Sequence, residues 1–392
     1  MFDNTYFYLM IVVLLFAIGD LIGYISKGKL SGMMMVMLMF LMGFLAKILP
    51  DDIIDRAGLT ELTSIAAAFV LFNMGASINI KQLFREWRTA LMAALSMLFS
   101  CIAILCVAPL VGMKTALLAC PVINGAAMAT ALMTSAAMER GLTMAAALCA
   151  VIYSIQKFIG APIASAMGMR YGRRLILEFR KDPQKNMALL EEKQKWKTDK
   201  ILFYEKHKEL YTSNVLIAIV CVGAWISHVL GSYTNISYSI WALLLGSISG
   251  IGGYIPSKPL QKGNAYGIIM IAVLGSIIPS LAYVSMKDLI TMAWQIVILF
   301  VAACMGIFII GYVLPGWKLV GSRELAIGIG VEQFLGFPSN VIICREIGER
   351  IGETDEEKMY IEESLSIPYV VAGITVVTVL SVALAGVVIG MI

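Results

Sequence analysis

Two short stretches of this chain hold the residues best suited to chemistry. One is Cys120-Pro121-Val122-Ile123-Asn124-Gly125-Ala126-Ala127; the other is Gly330-Val331-Glu332-Gln333-Phe334-Leu335-Gly336-Phe337-Pro338-Ser339-Asn340. Each sets glycine and proline, which interrupt helices, beside polar side chains in otherwise apolar sequence. A helix broken inside a membrane exposes carbonyls at one end of the break, which coordinate a dehydrated cation, and N–H groups at the other, which favour an anionic group. Asn124, Gly125, Thr130, Gln333, Ser339 and Asn340 are therefore candidate substrate-binding residues, and Glu332, Gly336, Pro338, Thr134 and Ser135 candidate cation-coupling residues. Glu332 stands out, because a carboxylate at membrane depth is costly and by default marks function. It would bind Na⁺ or carry a proton; the alternatives are a structural pair with a lysine or arginine, such as Arg323 or Arg345, and a position shallow enough to reach water.

The elements that must position these residues follow from composition. Of 392 residues, 59% are hydrophobic and 14% charged, and the mean hydropathy is +0.85, far from soluble usage. Apolar stretches of about 20 residues recur, each long enough as a helix to cross a hydrocarbon core of ~30 Å. The first, from Thr5 to Ile25, follows Asp3 rather than a basic stretch and reads as a retained span, not a removed signal peptide.

Basic residues orient the spans. Lys27 and Lys29, then Lys81, Arg85 and Arg88, then Arg170, Arg173 and Arg174 are expected in the cytoplasm, and the acidic loop Asp51-Asp52-Ile53-Ile54-Asp55-Arg56 outside. Between the second and third clusters lie three apolar stretches, 89–112, 115–138 and 143–167. Three crossings would leave Arg170 to Arg174 outside, so one stretch must enter and leave on the same side. The middle one, with its break at Asn124-Gly125, reads as a re-entrant hairpin. In the second half, spans near 213–230, 237–255, 264–284, 289–314 and 364–390 leave 322–351 over as a second hairpin, entering from the opposite face. The alternative is a pair of Pro-kinked spans.

The expectation is an all-α integral membrane protein of two inverted repeats, each of five transmembrane helices with one re-entrant broken-helix hairpin. The repeats are expected at 1–169 and 212–392, joined by a charged cytoplasmic linker at 170–211, with both termini outside. Ala76-Ser77-Ile78-Asn79-Ile80-Lys81-Gln82-Leu83 echoes Ala282-Tyr283-Val284-Ser285-Met286-Lys287-Asp288-Leu289, and Glu139-Arg140 echoes Glu349-Arg350. The linker, with Leu189, Leu190, Trp196 and Leu202 among lysines and glutamates, reads as an amphipathic connector near anionic headgroups.

At the second hairpin the sequence resembles the bacterial sodium/glutamate symporter family, as a divergent member. Phe337-Pro338-Ser339-Asn340 followed by Gly348-Glu349-Arg350-Ile351-Gly352 is similar to that family's Thr-Pro-Thr segment and the Glu-Arg-aromatic-Gly beyond it. Met138-Glu139-Arg140-Gly141, Phe158-Ile159-Gly160-Ala161-Pro162 and Arg173-Arg174-Leu175-Ile176 resemble the end of its first half. The resemblance implies a Na⁺-coupled symporter acting as a homodimer whose transport domains move like an elevator. Where the family's first hairpin begins Gly-Gly-His-Gly, this chain has Gly125-Ala126-Ala127-Met128, and Glu332 is an addition.

The combined expectation is a secondary active transporter in the inner (plasma) membrane. It would move a small, anionic solute such as glutamate or a related carboxylate, coupled to Na⁺ or H⁺. The alternatives are an ion channel using the hairpins as a filter and a transporter of an unrelated small metabolite. No enzyme activity is expected, because no nucleophile–base pair stands out. Seven cysteines without a C-x-x-C and only two histidines point away from zinc or haem; no organic cofactor is expected. The net charge of +4 reflects basic residues beside spans and needs no nucleic-acid partner.

Overall fold

A computed structural model describes residues 4–26, 32–77, 84–187, 203–234, 236–283, 286–336 and 339–391. Lys27, Lys29, Lys81, Phe337, Pro338, most of the first repeat echo and the linker side chains Leu189, Leu190, Trp196 and Leu202 lie outside them.

Every regular element among the described residues is helical. Helices α1 (Thr5–Ile25), α2 (Gly32–Leu45), α3 (Thr60–Ser77), α4 (Trp87–Cys106), α5 (Met113–Ile123), α6 (Ala126–Glu139) and α7 (Thr143–Phe179) make up the first half. Helices α8 (Ser213–Thr234), α9 (Tyr238–Ile251), α10 (Tyr266–Gly275), α11 (Met286–Phe308), α12 (Arg323–Val331), α13 (Ser339–Ile351), α14 (Asp355–Gly373) and α15 (Ser381–Ile389) make up the second. Between α14 and α15 the chain winds as a π-helix over Ile374–Leu380.

Among the described residues six stretches are long and apolar enough to cross a membrane: Thr5–Ile25, Trp87–Cys106, Thr143–Phe179, Ser213–Thr234, Ile290–Val313 and Asp355–Ile389. The chain is an all-α membrane protein. In such a solvent helices are the open-ended structure whose backbone groups are satisfied within one segment. Shorter apolar helices lie between them. The stretch expected as one span at 264–284 is divided, because α10 stops at Gly275 and a new turn starts at Ile278 with Pro279 in its first positions.

Helix α7 runs 37 residues without interruption and carries Arg170, Arg173 and Arg174 on its last turns. At 1.5 Å per residue it is about 55 Å long, well beyond a hydrocarbon core of ~30 Å. The 35 residues from Asp355 to Ile389 span about 50 Å by the same rise, so the charged first turns of α14 also project past the core. Those two projecting ends are joined. Arg180 just after α7 donates to both Glu357 oxygens, at 2.7 and 3.1 Å, and Arg174 donates to both Glu324 oxygens, at 3.0 and 2.9 Å. The Arg180 guanidinium holds the Glu357 carboxyl at about 2, well below the usual carboxylate range.

Small residues let the two halves of the chain touch backbone to backbone. A Cβ placed on Gly75 of α3 would lie 2.3 Å from the Leu243 carbonyl of α9, and one on Gly246 would lie 2.2 Å from the Phe72 carbonyl. Without a hydrophobic drive between helices in lipid, such close van der Waals packing is what holds them.

Candidate functional site

Both interruptions expected from sequence are present as breaks between helices. Helix α5 has Pro121 in its last turn and ends at Ile123; Asn124 caps it, Gly125 precedes α6, and Ala126 takes a φ of +48°, unusual outside glycine. Helix α12 starts with Ser322, whose Oγ accepts the Leu325 N–H, and passes at Val331 into a 3₁₀ turn over Glu332–Phe334. Gly336 then takes a φ of +68°, a conformation that suits a residue without Cβ.

The two breaks meet. A Cβ built on Gly336 would lie 3.5 Å from the Ala126 Cβ and 3.8 Å from Val377 Cγ1. One built on Gly125 would lie 2.5 Å from the Ser381 Cβ. The π-helical stretch Ile374–Leu380 and its exit at Ser381 therefore back onto both breaks, and such windings recur at functional sites. From the other side Gly160 of α7 faces Phe334, with only 2.8 Å between its would-be Cβ and the Phe334 Cβ.

The polar groups gathered around these breaks are buried, and many lack partners. Asn124 donates from Nδ2 to the Cys120 carbonyl at 2.7 Å and toward Cys101 Sγ at 3.5 Å, while its Oδ1 accepts nothing. Thr134 is fully buried with an unpartnered Oγ1, whereas Thr130 donates to the Ala126 carbonyl at 2.7 Å. Ser135 and Ser339 are half-buried. Glu332 is 0% exposed; among the described residues neither carboxylate oxygen reaches full hydrogen-bond geometry, and the Asn340 amide is the polar group that acts on it. Gln333 is buried beside it with both amide atoms unpartnered. Asn340, the polar side chain beside Glu332, reaches the Tyr369 carbonyl with Nδ2 at 3.5 Å, and its Oδ1 accepts the Val341 N–H. Native interiors leave few buried polar groups unpaired, so a cluster of them on helix breaks marks a place built to pair with something else.

The ion pairs that would have made Glu332 structural are not formed. Arg323 stacks over the rings of Tyr312 and Trp317, at 4.6 and 5.2 Å, and Arg345 faces Glu362. No group of three or more His, Cys, Asp or Glu suited to a metal occurs among the described residues. Two apolar grooves of about 420 and 550 Å³ open elsewhere, the first lined by Phe72, Ile219 and Leu245, the second by Phe99, Ile102 and Val301. Neither includes a residue of the breaks.

Sequence reasoning passed over three participants. Gln156, one turn before Gly160 on α7, is fully buried with both amide atoms unpartnered. Tyr369, also fully buried, donates to the Ala164 carbonyl at 3.2 Å and so pins α14 to α7 beside Glu332. The π-helical stretch is the third. Gln156 was visible as a polar residue in the apolar run around Lys157, but no residue type marks the π-helix.

The sequence matches no protein-family model and no curated protein.

Proposed function

We propose that this protein is a secondary active transporter, an elevator-type symporter of a small anionic solute such as glutamate or a related carboxylate, coupled to Na⁺ or H⁺. The observation that carries the reading is the meeting of two helix breaks at Gly336 and Ala126, surrounded by buried polar groups without protein partners. Broken helices facing one another supply carbonyls for a cation and N–H groups for an anion, and an enclosed site that must open to release its contents suits a carrier. The resemblance to the sodium/glutamate symporters supports the same architecture. In this reading the halves are inverted repeats, each with a re-entrant hairpin, and the protein works as a homodimer in the inner membrane. The ends of α7 and α14 are cytoplasmic and both termini lie outside.

The test is uptake into liposomes holding the purified protein. Radiolabelled glutamate or a C4 dicarboxylate is expected to accumulate only under an imposed ion gradient. Glu332→Gln and Asn340→Ala are expected to lower the initial rate at least tenfold while the melting temperature in detergent stays near wild type. Unchanged uptake in both variants would remove these residues from the site, and flux at channel rates in electrical recordings would replace the carrier with a pore.

A further inference from the structure

Glu332 lies fully buried on the second break, and its surroundings say what form it takes there. Moving an isolated ionised carboxylate out of water is far more costly than moving a neutral polar group. An ionised Glu332 would need a basic side chain, several N–H donors or a metal cation to hold it.

Among the described residues the elements packed around it offer no basic group and a single amide donor, that of Asn340, in place of several. Helix α7 brings the titratable residues Tyr153 and Lys157, α13 brings Cys344 and Arg345, α14 brings Glu362 and Tyr369, and the π-helical stretch brings none. Of these, Tyr369 and Cys344 are the ones that share an electrostatic interaction with Glu332. Arg345 is directed to Glu362, and no basic group acts on the Glu332 carboxylate among the described residues.

The neighbours are equally poor ligands for a metal ion. The Tyr369 hydroxyl is committed to the Ala164 carbonyl, the Asn340 oxygen already accepts the Val341 N–H, and Cys344 is a thiol. Na⁺ wants a shell of oxygens; among the described residues the Gln333 amide oxygen is the unpartnered one beside the carboxylate, and a single amide oxygen does not build that shell.

We propose, resting on the carrier reading above, that the ion coupled at this site is the proton, carried across the membrane as the neutral carboxyl of Glu332. With the breaks open to water on one side, the carboxylate takes a proton from hydronium and leaves water behind. The closed site described above is the neutral, loaded form. On the opposite side the proton returns to water and the carboxylate is rehydrated. Gln333 and Gln156, whose amides are also unpartnered, remain for the solute.

Two measurements decide this. The first needs no solute: infrared spectra of protein labelled with ¹³C in the glutamate side chains, reconstituted in phosphatidylcholine–phosphatidylglycerol vesicles at pH 7. A protonated-carboxyl band is expected in wild type and absent in Glu332→Gln, whose isosteric amide keeps the fold, as a matching size-exclusion profile and melting temperature would show. No band, or a band unchanged in the variant, overturns the proposal.

The second is solute accumulation in the same vesicles with radiolabelled glutamate and succinate. A pH gradient of one unit is expected to drive about tenfold accumulation for a one-to-one symport, and a Na⁺ gradient at clamped pH none. Glu332→Gln should exchange solute across the vesicle without concentrating it. Accumulation driven by Na⁺ alone at clamped pH overturns proton coupling. If neither probe moves under any gradient, the carrier reading fails, and the infrared band still decides whether Glu332 holds a proton.

Discussion

Buried polar side chains without partners are a cost that folding ordinarily avoids, and at these breaks they fall on Asn124, Thr134, Gln156, Glu332 and Gln333. Gln156 separates stability from function most cleanly, because its amide makes no hydrogen bond and is fully buried. An unsatisfied buried group costs about 1–3 kcal/mol, so an apolar side chain of similar volume removes a penalty rather than a bond. Gln156→Leu is expected to raise the thermal stability of the detergent-solubilised protein by roughly 1 kcal/mol or more. Uptake in liposomes should fall at least tenfold. A destabilised Gln156→Leu protein would mean that the amide has partners in the folded state, and unimpaired uptake would remove it from the site. The same logic does not extend to Thr130, whose hydroxyl is already donated to the Ala126 carbonyl.

At the scale of elements, how closely two helices approach decides which glycines tolerate change. On α9 a Cβ at Gly246 meets the Phe72 carbonyl at 2.2 Å, which is backbone and cannot swing away. On α10 a Cβ at Gly267 meets nothing within 4 Å. Gly246→Ala is therefore expected to destabilise by about 1–3 kcal/mol through forced separation of α3 and α9, while Gly267→Ala is neutral or stabilises by up to about 1 kcal/mol. Thermal melts of the two variants side by side test this; equal effects would contradict the packing. The sequence marked the breaks themselves because Asn124-Gly125 and Gly336-Phe337-Pro338 interrupt apolar runs with residues whose backbone preferences are strong. It could not show that the breaks touch, since that contact joins residues about two hundred positions apart through the packing of α7 and the π-helix. The division at Gly275–Ile278 was hidden for the opposite reason: hydropathy there stays high while Pro279 ends one helix and begins the next turn.

Across the whole molecule, the end of α7 is tied to the second half by charge as well as by packing. Arg174 pairs with Glu324 at the head of α12, and Arg180 pairs with Glu357 and Glu353 around the start of α14, so the supports of both breaks are linked beyond the membrane core. Glu357 also accepts the Glu353 N–H and completes a capping box with Thr354. Its carboxyl, held at about 2 by the Arg180 guanidinium, lies below the ordinary value of 4.5, so the folded state binds that proton less readily than the unfolded chain. The stabilisation is complete above pH 4.5 and is lost as pH falls from there toward 2. Because Arg180 is 43% exposed, solvent screening keeps the effect modest. Glu357→Gln can still cap the helix and accept from the backbone, so it removes the charge pairing alone. Melting temperatures between pH 7 and 3 are expected to show the variant below wild type near neutrality, with the gap closing below pH 4.5. Other carboxylates titrate in the same range, so the quantity that tests the link is the difference between the two curves. A constant difference across the range would show that Arg180 and Glu357 do not clamp α7 to α14.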